Sequence, residues 1–203
     1  MQGTLGRNWR YLAVVAAAFL TLGSLTPVAA QGQTRTFVGL VAGASGADAL
    51  IAIVVEPNGT AVAYACSTDD NWNLQFSKWF QGQLSAQGQL TARSGDGTEV
   101  TGALQGSRLS GTLGALTWSA DLVTGGTAGL YRGRADDDIH AVIELVDGRR
   151  AGRVWSVTTG QHVGTWDFRT ATVTPLDGGL RAQRNDPQFI LVELRACTNA
   201  FCE

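Results

Sequence analysis

Turn-forming residues divide this chain into short segments, and they constrain its fold more than any other feature. The signals recur throughout residues 31–203 and include Pro57-Asn58-Gly59, Asp96-Gly97, Gly106-Ser107 and Asp147-Gly148. Between them lie short runs rich in Val, Thr, Leu and aromatic side chains, a pattern typical of all-β sandwiches and barrels. The sequence predicts an all-β fold of about ten to thirteen strands. We expect a helical turn only within residues 67–79.

The segment from Trp79 to Leu122 predicts a strand register from its turns. Turns fit at four positions, which are 86–88, 95–97, 106–107 and 114–115. Each resulting register keeps the apolar side chains on one face, and a shift of one residue would destroy that separation. The segment therefore predicts a five-stranded antiparallel meander. One row crosses its inner face and consists of Leu84, Leu90, Gly102, Gly111 and Trp118.

Two neighbouring glycines in that row remove bulk from positions where large apolar side chains are expected. Inward-facing glycines let a sheet bend sharply, and a neighbouring aromatic side chain can cover the exposed backbone. Gly102 and Gly111 therefore predict strong curvature, with Trp118 folded over them. We expect the meander to form a barrel or a strongly coiled sheet, rather than a flat sandwich.

The first thirty residues have the pattern of a secretion signal. A basic start precedes an apolar stretch, and small residues at Val28 and Ala30 suit cleavage after Ala30. An uncleaved membrane anchor is the alternative, because residues 12–30 could nearly span a bilayer. We predict a signal peptide over 1–30 and one all-β domain over 31–203, with a short Cys-containing C-terminal tail. The protein is then secreted or held in the periplasm or cell envelope, and any membrane association comes through an uncleaved signal.

The charge balance argues against nucleic acid as a partner. Without Arg7 and Arg10 the chain keeps 13 basic and 17 acidic residues. Nucleic-acid binding depends on a concentrated basic surface that neutralises phosphates. The longest basic cluster, residues 148–153, has only three arginines and is interpreted as a solvated hairpin.

Three cysteines allow one disulfide in an oxidising compartment. Cys197 and Cys202 are close in sequence and are the favoured pair, closing a small loop. Cys66 ends an apolar run and is interpreted as a buried, inert thiol. A bridge from Cys66 to either of the other two remains open.

Several segments resemble a group of uncharacterised secreted all-β bacterial proteins. They are FVGLVAGASGADALIAIVVEPNGTAVAYAC, the glycine-rich meander, AGLYRG and VIELVDGRRAGRV. The resemblance covers most of residues 31–203 and implies no known activity or catalytic residue. The segments CTNAFC and VWSVTTGQHVGTWDF are possible departures from that group.

The search for catalytic and metal-binding motifs yields one weak candidate. The serine-hydrolase motif G-x-S-x-G is absent, and the cysteines and histidines lack zinc-ligand spacing. We therefore expect no metal and no cofactor. Glu144 lies within an apolar strand, where burial would raise its pKa and suit a general acid. The alternative is that Glu144 pairs with an arginine on an adjacent strand.

Tryptophans are the candidate ligand-binding residues. Trp118 is assigned to the core by the register above, whereas Trp79 falls on the outer face of the meander with Gln81 and Gln83. Trp79 either forms a contact surface or packs under the segment around Trp72. Trp155 and Trp166 are expected to be neighbours across a hairpin at Thr159-Gly160.

These observations lead to three functional hypotheses. The first is an exported, non-enzymatic binding or interaction module whose ligand is a glycan or a small apolar molecule, because barrels often bind ligands at their mouths or interiors. The second is a hydrolase of envelope glycans that uses carboxylates such as Glu144 or an aspartate of residues 136–138. The third is a structural or adhesive surface module.

Overall fold

The computed structural model describes residues 32–43, 49–184 and 190–199. The predicted signal peptide and Cys202 lie outside these residues. Fifteen strands and one short helix, α1 (Asp70–Phe76), are present in the described part. The strands are β1 Arg35–Ala42, β2 Ala49–Val55, β3 Thr60–Ser67, β4 Lys78–Leu84, β5 Gln89–Arg93, β6 Glu99–Gln105, β7 Arg108–Leu113, β8 Leu116–Leu122, β9 Gly129–Ala135, β10 Asp138–Glu144, β11 Arg150–Ser156, β12 His162–Thr165, β13 Thr172–Leu176, β14 Gly179–Arg184 and β15 Ile190–Ala196. The expected ten to thirteen strands were therefore too few, while the all-β class is confirmed.

The first eight strands form a closed antiparallel barrel in which each strand pairs with its neighbour in sequence and β1 closes on β8. The predicted meander corresponds to β4–β8, and its registers are confirmed pair by pair. Gly106 begins its hairpin turn at a φ of 61°, and Ser107 does not have a positive φ. This combination matches the type II′ turn that the Gly-Ser order predicts.

The barrel interior is filled by apolar side chains. Large residues from the eight strands alternate with small ones, and the fully buried large side chains are Phe37, Ile51, Ile53, Phe80, Leu90, Leu109 and Leu113. Gly102 pairs with Gly111, and Gly111 pairs with Trp118, as predicted. A Cβ on Gly102 would lie 2.8 Å from Cζ2 of Trp118, so the indole occupies the space that the glycine leaves. The absence of a side chain at Gly102 therefore both lets the sheet curve and makes room in the core for the Trp118 indole.

Helix α1 follows β3 and lies at one end of the barrel. Asp69 caps its N-terminus, because Oδ1 of this residue accepts a hydrogen bond from the amide of Trp72 at 2.7 Å. Trp72 and Phe76, four residues apart on one helix face, pack against the barrel interior. The expected helical turn is confirmed, and its role is to close this mouth with apolar side chains.

The second half of the chain forms a seven-stranded antiparallel sheet with the order β12-β11-β10-β9-β15-β14-β13. Strand β10 lies inside this sheet and is buried on both faces. One face of β9–β11 packs on the outer face of β1–β3, which explains why β2 is buried along its whole length and β3 everywhere except at Thr60. On the opposite face, residues of β10 and β11 contact residues of β14 and β15, so the sheet curls around a core of its own.

Candidate functional site

Two tryptophans border one cleft between the barrel and the second sheet. Trp79 comes from β4 on the barrel, and Trp155 comes from β11 of the sheet; both are partly exposed. The cleft has a volume of about 300 Å³ and is lined by Ser77, Lys78, Trp79, Ser94, Gly95, Asp96 and Trp155. Indole side chains beside a few fixed polar groups are typical of sites that bind small organic ligands.

Tyr64 fixes both indoles from below. Its ring stacks on Trp79 with centroids 4.6 Å apart and meets the edge of Trp155 at 5.6 Å. The Tyr64 hydroxyl lies 3.2 Å from the hydroxyl of Ser77, so this buried phenol has a hydrogen-bond partner. Burial raises the pKa of Tyr64 well above its ordinary value, which keeps the phenol neutral. The outer-face prediction for Trp79 is confirmed, although Trp79 packs on Tyr64 and not under Trp72.

A charged pair forms the polar rim of the cleft. The Lys78 ammonium donates to Asp96, and also to the hydroxyl of Thr98 at 3.1 Å. Asp96 accepts further hydrogen bonds from the hydroxyl of Ser94 at 2.5 Å and the amide of Thr98 at 3.1 Å. These donors, Lys78 first, hold the pKa of Asp96 well below its usual range. The rim therefore presents a charged, oriented carboxylate at neutral pH.

Trp155 and Trp166 do not lie together, contrary to our expectation. Trp155 is opposite His162 in the register of β11 and β12, and its side chain joins the core shared with the barrel. Trp166 follows β12, is 2% exposed, and packs on Phe168 in the core of the second sheet. The register shifts between Val154 and Trp155, and this irregularity breaks the simple hairpin alignment that the sequence suggested. Trp166 is therefore a core residue.

Glu144 is buried and fully engaged by its neighbours. Its Oε1 atom accepts from the hydroxyl of Thr127 at 2.5 Å, and Oε2 accepts from Nε of Arg150 at 2.8 Å. Arg150 lies directly opposite Glu144 on β11, and the two side chains form an ion pair. This pairing is the alternative to a catalytic role that the sequence left open. Tyr131 lies near Glu144. Burial, and then the negative charge of Glu144, raise the pKa of Tyr131 to about 12.

A second polar group joins α1 to β12 and was missed in the sequence. The Thr165 hydroxyl donates to Asp70, lies 3.4 Å from Nε2 of His162, and accepts from the Asn73 amide at 3.3 Å. Asn73 also exchanges two 2.7 Å hydrogen bonds with the backbone of Ser67. Because the Thr165 proton goes to Asp70 and not to His162, the group resembles a structural link more than an activated nucleophile. Asn73 and Asp70 lie 92 and 95 positions before Thr165 in the sequence, and only His162 is close to it. No local sequence motif could therefore reveal this group.

Arg153 provides another link between the sheet and the helix. Nη1 of its buried guanidinium donates to the backbone carbonyls of Asn73 and Ser77 at the C-terminal end of α1. Cationic groups at this position complement the helix dipole. The guanidinium also lies over Trp155, 5.6 Å from the ring centroid, so it fixes the indole that borders the cleft.

The cysteine predictions have different outcomes. Cys66 is a free thiol, fully buried, and burial raises its pKa above the ordinary value, in agreement with an inert core residue. A bridge from Cys66 is therefore not formed. The favoured bridge between Cys197 and Cys202 stays a prediction, because Cys202 lies outside the described residues.

Within residues 32–43, 49–184 and 190–199, no group of three or more His, Cys, Asp or Glu side chains is arranged to hold a metal ion. No helix in the same part of the chain has the length and apolar character needed to cross a membrane. Comparison with protein-family models and with curated proteins found no match to this chain.

Proposed function

We propose that this chain is an exported, non-enzymatic binding module, and that its ligand is a glycan held in the cleft between Trp79 and Trp155. The observation that carries the proposal is the convergence of two partly exposed indoles and a charged rim on one cleft. Sugar rings stack their C–H faces on indoles, while their hydroxyls bind charged and polar side chains. Export is supported by the signal-peptide pattern of residues 1–30.

The barrel core favours a glycan over a small apolar ligand. Apolar ligands bind inside barrels whose strands enclose a cavity, whereas this interior holds tightly packed Phe, Ile, Leu and Trp side chains. Helix α1 also covers one mouth of the barrel with Trp72 and Phe76. The cleft outside the barrel combines aromatic and polar groups, which suits an amphipathic sugar.

The hydrolase hypothesis receives less support from the surroundings of Glu144. A general acid must reach the glycosidic oxygen, and a hydrolase of this kind pairs two carboxylates across the scissile bond. Both oxygens of Glu144 are engaged by Thr127 and Arg150, and the side chain is 3% exposed. We therefore base the proposal on binding.

Titration of the purified mature protein with soluble oligosaccharides, both neutral and acidic, tests the proposal. We expect saturable changes in tryptophan emission. We also expect Asp96→Asn to weaken binding about fivefold or more, since a hydrogen bond to a charged group contributes about 1.5–3 kcal/mol and a neutral one less. Asp121→Asn is the matched control, because Asp121 also pairs with a basic side chain on the barrel but does not line the cleft.

A flat emission response to every oligosaccharide, together with no heat of binding by calorimetry, would overturn the proposal. Equal weakening by Asp96→Asn and Asp121→Asn would also contradict it, because binding would then not depend on the cleft.

A further inference from the structure

A second cleft borders the first and has a different chemical character. Its volume is about 410 Å³, and its lining residues are Arg132, Gly133, Arg134, Ile139, Glu193, Arg195 and Ala196. The guanidinium of Arg132 lies 5.9 Å from the ring centroid of Trp79, and Ile139 is the register partner of Trp155. Arg132 and Ile139 of the second cleft thus lie beside Trp79 and Trp155 of the first. The two clefts are therefore neighbouring parts of one groove.

The strand register gives the dimensions of this groove. Trp155, Ile139 and Arg134 form a row across β11, β10 and β9. Adjacent strands are about 4.8 Å apart, so the backbones of Trp155 and Arg134 are separated by about 10 Å. That distance matches roughly two sugar rings in a chain. A glycan stacked near Trp155 would therefore place its next residues beside Arg134.

The far end of the groove is basic. Arg195 lies directly opposite Arg132 in the pairing of β15 with β9, and Arg134 lies two residues further along β9 on the same face. The sequence outside the signal peptide is acidic overall, so the concentration of arginines here is a local feature.

The carboxylates near Arg134 and Arg195 are already engaged. Glu193, the acidic residue that lines the second cleft, accepts from Nη2 of Arg181 at 2.7 Å. Hydrogen bonds from Thr158 are the main cause of the lowered pKa of Asp137, followed by the hydrogen bond from Ser156, and the charge of Arg134 is the smallest cause. Within the described ranges, no carboxylate lies at ion-pair distance from Arg134 or Arg195. Nε of Arg134 donates to the backbone carbonyl of Asp136 at 3.0 Å. Both side chains are exposed, so the Nη groups of Arg134 and the guanidinium of Arg195 can bind an anion from solution.

We infer that the glycan is anionic, with a carboxylate or sulfate group bound by Arg134 and Arg195 while a neighbouring sugar ring lies against Trp79 or Trp155. This inference rests on the proposed function and names the class of its ligand. A guanidinium presents two parallel N–H groups that match carboxylate and sulfate oxygens. The groove therefore recognises both the apolar face of a sugar and its acidic substituent.

Calorimetric titration with three oligosaccharides of equal length tests the inference. These are a neutral glucan, a uronic acid oligomer and a sulfated galactan, each measured at low and high salt. We expect at least one acidic oligosaccharide to bind about tenfold more tightly than the neutral one at low salt, because hydrogen bonds between charged groups contribute more than neutral ones. High salt should reduce this preference, since the two arginines are exposed. The acidic oligosaccharide that binds more tightly identifies the anion.

Variants separate the inference from the proposed function. Arg134→Gln and Arg195→Gln should each weaken the acidic ligand about fivefold or more and weaken the neutral ligand much less. Arg108→Gln is the control, because Arg108 is exposed but lies outside the groove. Equal affinity for neutral and acidic ligands, insensitive to Arg134→Gln and Arg195→Gln, would overturn the inference while preserving glycan binding. Equally tight binding of poly-glutamate that is insensitive to Asp96→Asn would also overturn it, because the site would then be a general anion patch.

Discussion

His140 shows how a single buried residue makes stability depend on pH. The imidazole is 1% exposed and lies 5.6 Å from the ring of Trp166, and neither ring nitrogen has a hydrogen-bond partner among the described residues. Burial lowers the pKa of His140, although the charge of Asp138 acts in the opposite direction. The folded protein therefore favours the neutral imidazole more strongly than the unfolded chain does.

We predict that acid destabilises the fold through His140. In the unfolded chain the imidazole takes up a proton near pH 6.5, whereas in the folded protein it does so only at lower pH. The stability present above pH 6.5 is therefore lost as the pH falls toward the folded-state pKa. Replacing His140 by Leu removes both unpartnered nitrogens and should make the free energy of unfolding, measured with urea at pH 7.5 and 5, depend less on pH.

His162→Gln provides the comparison for this prediction. His162 is only partly buried, and its pKa is also lowered, first by burial and then by the charge of Arg153. We expect His162→Gln to reduce the wild-type loss of stability in acid less than His140→Leu does, because His162 is less buried. If His140→Leu instead shows the full wild-type pH dependence, other groups are responsible for it.

At the scale of elements, the meander β4–β8 could be predicted because its turns are short and its two faces differ. Each two- or three-residue turn allows few registers, and only one register separates apolar from polar side chains. The second sheet lacks both constraints. Its strand β10 is apolar on two faces, and β9 pairs with β15, about 60 residues later in the chain, so neither alternation in β10 nor turn length between β9 and β15 could fix the pairing.

Gly102 leaves the space in the meander that the Trp118 side chain occupies. We predict that Gly102→Ala destabilises the protein by about 1–3 kcal/mol, because its methyl group would meet Cζ2 of Trp118 at 2.8 Å and the carbonyl oxygen of Ser110 at 2.9 Å. Urea unfolding followed by tryptophan emission measures both the loss of stability and the displacement of Trp118.

Gly95→Ala is the matched control. A Cβ on Gly95 meets no atom within 4 Å, and Gly95 has no positive φ that would strain an alanine. We expect this substitution to leave the protein unchanged or to stabilise it by up to about 1 kcal/mol, since it reduces the freedom of the unfolded chain. Similar destabilisation by both substitutions would show that Trp118 does not limit the space at Gly102.

At the scale of the whole molecule, the candidate site belongs to neither the barrel nor the second sheet alone. The sequence identified Trp79 and Trp155 separately, but these residues are brought together only when the sheet packs on the barrel. Arg134 and Arg195 come together through the same long-range pairing that the sequence could not fix. Geometry at the groove therefore depends on the shared core of Leu50, Val54, Tyr64, Ile143 and Ala151.

That shared core predicts that the barrel and the second sheet unfold in one cooperative transition. Burying β2 and β3 on both faces means that loss of the sheet would expose Leu50, Val54 and Tyr64 to water. Two fully buried leucines test the coupling: Leu113 lies inside the barrel and Leu180 in the separate core of the second sheet. Each change to Ala should destabilise by about 2–5 kcal/mol and lower the midpoint of the same transition, seen alike by far-ultraviolet circular dichroism and tryptophan emission. Two transitions, with Leu113→Ala moving one and Leu180→Ala the other, would mean that the barrel and the sheet fold independently and that the groove can open between them.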